Sequence, residues 1–164
     1  MQEDKFWSII EATRTAAGTD IDGRVEALEV QLRKLSLPDI QGFQKVYDTL
    51  VHRAFRWDLW GAAHVMNGGC SDDGFIYFCH WLISEGKERY EAALQDPDSL
   101  AEVERLDLFE LEMFAYVAAD VFEDKDGDDF ECDTTLETTM PSGKAWKEEA
   151  LPAMFPRLTA VFGG

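Results

Sequence analysis

The sequence predicts a mainly α protein: a single compact helical domain spanning residues 1–164, built from about six to eight helices. Three observations predict it. Apolar residues recur at helical spacing over most of the chain, as in Phe43, Tyr47, Leu50, Ala54, Trp57, Gly61 and His64. Serine caps followed by acidic first turns stand before two of these stretches, at Ser36 and at Ser71-Asp72-Asp73. Finally, 164 residues at 46% hydrophobic composition are enough to bury one core without disulfide or metal staples.

Each element follows from its own stretch. Phe6, Ile10, Thr13 and Ala17 come after the acidic pair Glu3-Asp4, have Trp7 beside them and stop at Gly18, which makes a first amphipathic helix. Asp20 or Asp22 can cap a second, whose stripe is Val25, Leu28, Leu32 and Leu35. Ser36 caps a third, with Asp39 at the capping-box position. The 4-3-4-3 spacing from Phe43 to His64 is long for one helix, and residue character changes after Phe55, so two helices kinked near Phe55 to Asp58 are expected. Asn67-Gly68-Gly69 ends the second of these through positions that tolerate positive φ.

A helix starting at about Asp72 carries Phe75, Phe78, Cys79 and Leu82 at i, i+3, i+4 and i+7, widened by Ile76, Tyr77, Trp81 and Ile83. It reads as the central, buried helix, ending at Gly86. A short helix from Lys87 to Leu94 leads to a D-P-D-S turn. Leu108, Leu111, Ala115, Ala118 and Phe122 predict a further buried helix. An acidic loop at 120–143 follows, within which Phe130, Cys132, Thr134 and Leu136 alternate with polar residues, as in a short strand or hairpin arm near 130–138. Lys144 to Leu151 reads as helical, Pro152 as its break, and a last short helix begins near Pro156. Neither an internal repeat nor a linker divides the chain.

The charge balance excludes several function classes. With 33 acidic against 15 basic residues, the formal charge is −18. Such a surface repels nucleic-acid phosphates and anionic lipid, and suits a basic protein partner or a small cationic ligand, or simply keeps the protein in solution. Three cysteines, at 70, 79 and 132, are too few and odd in number for a secreted disulfide framework. The opening M-Q-E-D-K-F-W has no apolar core for a signal, and no apolar run reaches ~18 residues, so a cytoplasmic protein is expected.

The densest stretch is Trp57 to Gly86, which holds three of the five Trp, two of the three His and two of the three Cys. At W-x-x-W-G-A-A, G-G-x-S-D-D-G-F and F-x-x-W-L-I-x-x-G, the chain resembles a family of short bacterial proteins known as domain of unknown function 4240. The opening F-W-x-x-I, the D-P-D-S turn and the closing F-P-R-L extend the likeness over most of the chain. The resemblance implies little about activity.

Chemistry in this stretch has several readings. His64, Cys70, Cys79 and His80 are zinc-type ligands, but their spacing matches no closed site, and Cys79 and His80 point about 100° apart on a helix, so no metal and no cofactor is expected. Cys70 lies near a helix start that favours thiolate, with His64 or His80 as base, yet Asp72 and Asp73 oppose it. Around Gly127 an EF-hand register fails, because Phe122 occupies the first ligand position. Asp58, Asn67, Asp72 and Asp73 can converge with Trp57, Trp60, Trp81 and His64 as a carboxylate and aromatic pocket for a polar or cationic ligand. Alternatively Asp72 and Asp73 serve only the helix start, Asp58 pairs with Arg53 or Arg56, and the rings are core. The expected function is therefore a non-enzymatic binding module for a protein partner or small polar or cationic ligand. The alternative is an enzyme using the carboxylates Asp58, Asp72 and Asp73 with His64 for acid–base work.

Overall fold

A computed structural model describes residues 1–163, and it is mainly α. Helices run α1 Glu3–Ala17, α2 Gly23–Arg33, α3 Leu37–Ala54, α4 Trp57–Asn67, α5 Asp72–Ser84, α6 Lys87–Gln95, α7 Val117–Asp124, α8 Leu151–Met154 and α9 Pro156–Phe162. Short 3-10 turns occupy Pro97–Glu102, Glu112–Tyr116, Thr135–Thr138 and Glu148–Ala150. Helix α5 packs against α1, α3, α4, α6 and the Glu112–Tyr116 turn, and from Phe78 to Ser84 every residue is buried. It is the central helix because its apolar residues face neighbours on nearly all sides.

Local chemistry sets the boundaries. Ser36 Oγ accepts the Asp39 N–H at 3.3 Å and starts α3, with Pro38 in a first turn that needs no proline N–H. The α3–α4 break falls where expected. Phe55 and Arg56 leave the helical region, and this short extended piece pairs with Ser142, through Trp57 N–H to Ser142 O at 2.9 Å and Ser142 N–H to Phe55 O at 3.0 Å. Gly68 ends α4 in the left-handed region at φ 66°, and the Gly69 N–H closes back on the His64 carbonyl at 2.8 Å. Ser71 Oγ accepts the Gly74 N–H at 3.1 Å and starts α5. At Gly61 a Cβ would stand 2.9 Å from the Phe155 ring and 3.1 Å from Trp146, so the glycine of W-G-A-A lets the C-terminal segment lie directly on α4.

Five expectations are corrected. The helix read from the Leu108 to Phe122 stripe forms only over its second half, as the Glu112–Tyr116 turn and α7. Leu108 is exposed, the Leu111 N–H bonds the Tyr77 carbonyl, and Asn67 holds the Phe109 backbone, so 104–111 is spent on crossing other elements. The strand or hairpin near 130–138 is absent: among the described residues there is no strand. Glu131 makes its bonds to the side chain of Gln41, which accepts the Glu131 N–H at 2.9 Å and donates to its carbonyl at 2.7 Å, so a side-chain amide stands where a neighbouring strand would. The acidic loop also begins later than 120, since Asp120 to Asp124 belong to α7. Residues 144–147 are likewise not helical, because Trp146 is drawn edge-on against Trp57 and Trp60, and Pro152 sits in the first turn of α8 instead of ending a helix.

Candidate functional site

The molecule's most site-like feature is a cavity of about 280 Å³ between α3, α5, α7 and the strap 130–136, at the small end of ligand-site volumes. Its walls are largely apolar, with Val51 and Ile76 beside the rings of Tyr47, Tyr77, Tyr116 and Phe130. Helical spacing aims these groups inward: Tyr47 and Val51 are i, i+4 on α3, and Asp73, Ile76, Tyr77 and His80 share one face of α5.

At its floor lies a buried polar pair. Tyr47 Oη and His80 Nδ1 are 2.7 Å apart, with the rings stacked at 5.6 Å. Burial raises the Tyr47 phenol well above its ordinary range, and burial pushes His80 down to about 4, so at neutral pH the phenol keeps its proton and the imidazole is uncharged. Among the described residues Tyr47 Oη has no acceptor other than His80 Nδ1. The phenol therefore donates to Nδ1, and the imidazole proton sits on Nε2. That Nε2 has no protein partner among the described residues, and it is not one of the sealed, unpaired buried atoms. His80 is only 8% exposed, and what it exposes faces the cavity it lines. It thus offers an N–H donor there.

The strap is held over the cavity by the polar face of α3. Asp48 accepts from Gln44 Nε2 at 2.8 Å and from the Asp133 N–H at 3.0 Å, while His52 Nε2 and Asp133 Oδ2 are 2.8 Å apart. Burial raises the Asp48 carboxyl against these hydrogen bonds, which lower it. Asp133 is held below the usual range, first by the hydroxyl and N–H of Thr135 and then by His52. Asp73 stands exposed on the first turn of α5, and its carboxylate accepts no hydrogen bond among the described residues.

Of the residues that sequence reasoning grouped, only Asp73 lines this cavity. Asp58 is gripped by Arg56 through two nitrogens, and Arg56 also donates to the Leu94 carbonyl at 2.9 Å; Asp58 lines none of the three main cavities. Asp72 Oδ1 accepts the neighbouring Asp73 N–H at 3.0 Å. Trp57 and Trp60 stack at 5.0 Å, Trp60 stacks on Phe75 at 5.5 Å, and Trp60 Nε1 donates to the Cys70 carbonyl at 2.9 Å, so these rings are spent on one another. Trp81 is buried edge-on to Phe109, and Asn67 clasps the Phe109 backbone. His64 shares the face of α4 that carries Trp57 and Trp60, and all three meet Trp146, with His64 also 3.5 Å from Glu148. The structure thus keeps Trp57, Trp60 and His64 together around Trp146, while Asp58, Asn67, Asp72 and Trp81 go to other contacts and helix ends.

Cys70 and Cys79 offer little nucleophilic chemistry at neutral pH. Burial first, and the Glu110 carboxylate second, push the Cys70 thiol up to about 12, and burial raises the core thiol of Cys79. Among the described residues no group of three or more His, Cys, Asp or Glu side chains is placed to hold a metal ion. No helix there is long and apolar enough to cross a membrane. Sequence reasoning missed Tyr47, Asp48 and His52, although Gln41, Gln44, Asp48 and His52 form a polar row at i, i+3, i+7 and i+11 on α3.

Residues 1–124 match the family described as "Protein of unknown function (DUF4240)", and the chain belongs to it. The match contains α1 to α7 and with them three walls of the cavity; the strap and the closing F-P-R-L lie beyond it. No curated protein and no solved structure matches the chain.

Proposed function

We propose that this DUF4240 member is a non-enzymatic binding module for a small polar ligand, seated in the cavity between α3, α5, α7 and the strap. The observation that carries the reading is His80, a nearly buried imidazole whose one nitrogen is taken by Tyr47 and whose other gives onto an aromatic-walled space. A buried donor left without a protein partner costs stability unless something else accepts from it. Water or a ligand can do so here.

Binding is favoured over acid–base catalysis for two reasons. A histidine pushed down to about 4 is a weak base at neutral pH, far from the matched value a general base needs. The carboxylates Asp58 and Asp72 and the imidazole of His64, which an acid–base mechanism would need close by, belong to other parts of the surface.

The test is an amide-resolved NMR screen of the full chain against a library of single-ring fragments. Binders are expected to shift the amides of Tyr47, His80 and Ala119, and Ala119→Leu, which fills the space from α7 with a good helix former, is expected to abolish those shifts without lowering the melting temperature. Shifts that map to other surfaces, or that survive Ala119→Leu, would overturn the assignment.

A further inference from the structure

We infer that the cavity's ligand is a small flat monocation: an amine or amidine on a short arm from an aromatic ring that carries a hydrogen-bond acceptor. The inference rests on the binding-module reading and adds the ligand's class. Four features of the cavity support it. The floor offers one neutral donor, His80 Nε2–H, which calls for an acceptor on the ligand and cannot neutralise an anion. The charged groups that line the space are Asp48, Asp73 and Asp133, with His52 tied to Asp133, and no Lys or Arg is among them; Lys45 stands outside, in the shallow cleft next door. Asp48 and Asp133 already accept hydrogen bonds from the protein, which leaves Asp73 as the carboxylate ready to take a charge-assisted bond at the mouth. Between floor and mouth the walls are aromatic faces, which attract a flat ring and a cation alike.

Length fixes the arm. Asp73 and His80 are seven residues apart on α5 and so share a face about 10 Å apart along the axis. That is the length of one ring with a two- or three-atom arm together with a hydrogen bond at each end. An anion of the same shape meets three carboxylates and an uncharged imidazole, within a chain of net charge −18.

Four probes of one shape separate the contributions: para-aminoethylpyridine (cation with acceptor), phenethylamine (cation alone), para-pyridylethanol (neutral with acceptor) and para-pyridylacetate (anion with acceptor). Affinities are measured by amide-resolved NMR titration at pH 7.5 and low salt. The aminoethylpyridine is expected to bind about tenfold tighter than the pyridylethanol, one charge-assisted bond's worth, with the pyridylacetate weakest. Asp73→Asn should bring the amine down to the alcohol's affinity, and His80→Phe, which has no N–H to donate, should reduce the preference for pyridine over phenyl; a two-state melt of each variant confirms that it is folded. If the alcohol or the acetate shifts the cavity amides as tightly as the amine does, the ligand class is wrong while the binding module stands. If none of the four binds but the fragment screen finds other occupants of the cavity, the class again falls alone. If the fragment screen is also empty, both readings fall together.

Discussion

Lowering the pH should destabilise the protein through His80, and the size of the effect follows from its burial. The imidazole is pushed from its ordinary 6.5 to about 4. The sign follows from proton counting. Between those values the unfolded chain binds a proton at this residue that the folded protein refuses, so stability rises with pH across the window and is lost as pH falls from 6.5 toward 4. At ~1.36 kcal/mol per pH unit, the full window is worth about 3 kcal/mol, or roughly 6–12 °C in melting temperature for a chain of this size. Other groups titrate in the same range with different signs: Asp48 is raised and Asp133 lowered. The clean measurement is therefore the difference between wild type and His80→Gln, whose amide oxygen can still accept from Tyr47 but cannot titrate. Urea unfolding followed by tryptophan fluorescence, from pH 7.5 to 4.5, should show wild type losing ground to the variant by about 2–3 kcal/mol. A difference that is flat with pH, or a His80 ring resonance that titrates near 6.5, would refute the buried neutral pair and the donor assignment built on it.

Two further predictions concern helix starts. Asp98 is buried and accepts from the backbone N–H groups of Arg157 and Leu158 at 3.1 and 2.9 Å, so Asp98→Ala should cost about 2–4 kcal/mol by denaturant melt, whereas replacing Asp72 in the exposed first turn of α5 should cost under ~1 kcal/mol. Ser71→Ala removes the acceptor for the Gly74 N–H and should cost about 0.5–2 kcal/mol, while Asp73→Asn should stay within ~1 kcal/mol in the same melts, so that equal losses for the pair would show Asp73 to be a structural residue.

Most of the fold was legible in the sequence wherever local and tertiary preferences agree. Ser36 and Ser71 start helices because the cap chemistry is local, and α5 is central because no side of Phe75 to Ile83 is polar enough to face water. The failures come where a distant partner decides. The apolar stripe from Leu108 is a good helix on paper, but Asn67 and the Tyr77 carbonyl capture its first half. Alternation at 130–136 is a good strand on paper, but the segment lies against helices, Gln41 of α3 taking the Glu131 backbone bonds and Phe122 of α7 meeting Phe130. The grouped residues are not all brought together, for a related reason. Tryptophan, histidine and carboxylate crowd together in sequence from Trp57 to Trp81, whereas helices α4 and α5 turn them toward different neighbours: Asp58 to Arg56, Trp81 to Phe109, His64 to Trp146.

The cavity lies where α3 serves two partners at once. Its apolar row, Phe43, Tyr47 and Leu50, faces the core, and its polar row, Gln41, Gln44, Asp48 and His52, holds the strap through side-chain bonds. Tyr47 comes from the first row and Asp48 from the second, so the space between core and strap has a buried polar floor and an acidic rim without any residue leaving its helical register. Bonds that hold the strap are mostly exposed, and exposed polar bonds are individually weak, so this is the wall with least to hold it closed. A ligand touching both floor and strap adds its binding energy at that seam. At a concentration one hundred times its dissociation constant it would stabilise the folded chain by about 2.7 kcal/mol, enough to be read in a melt before any activity is known.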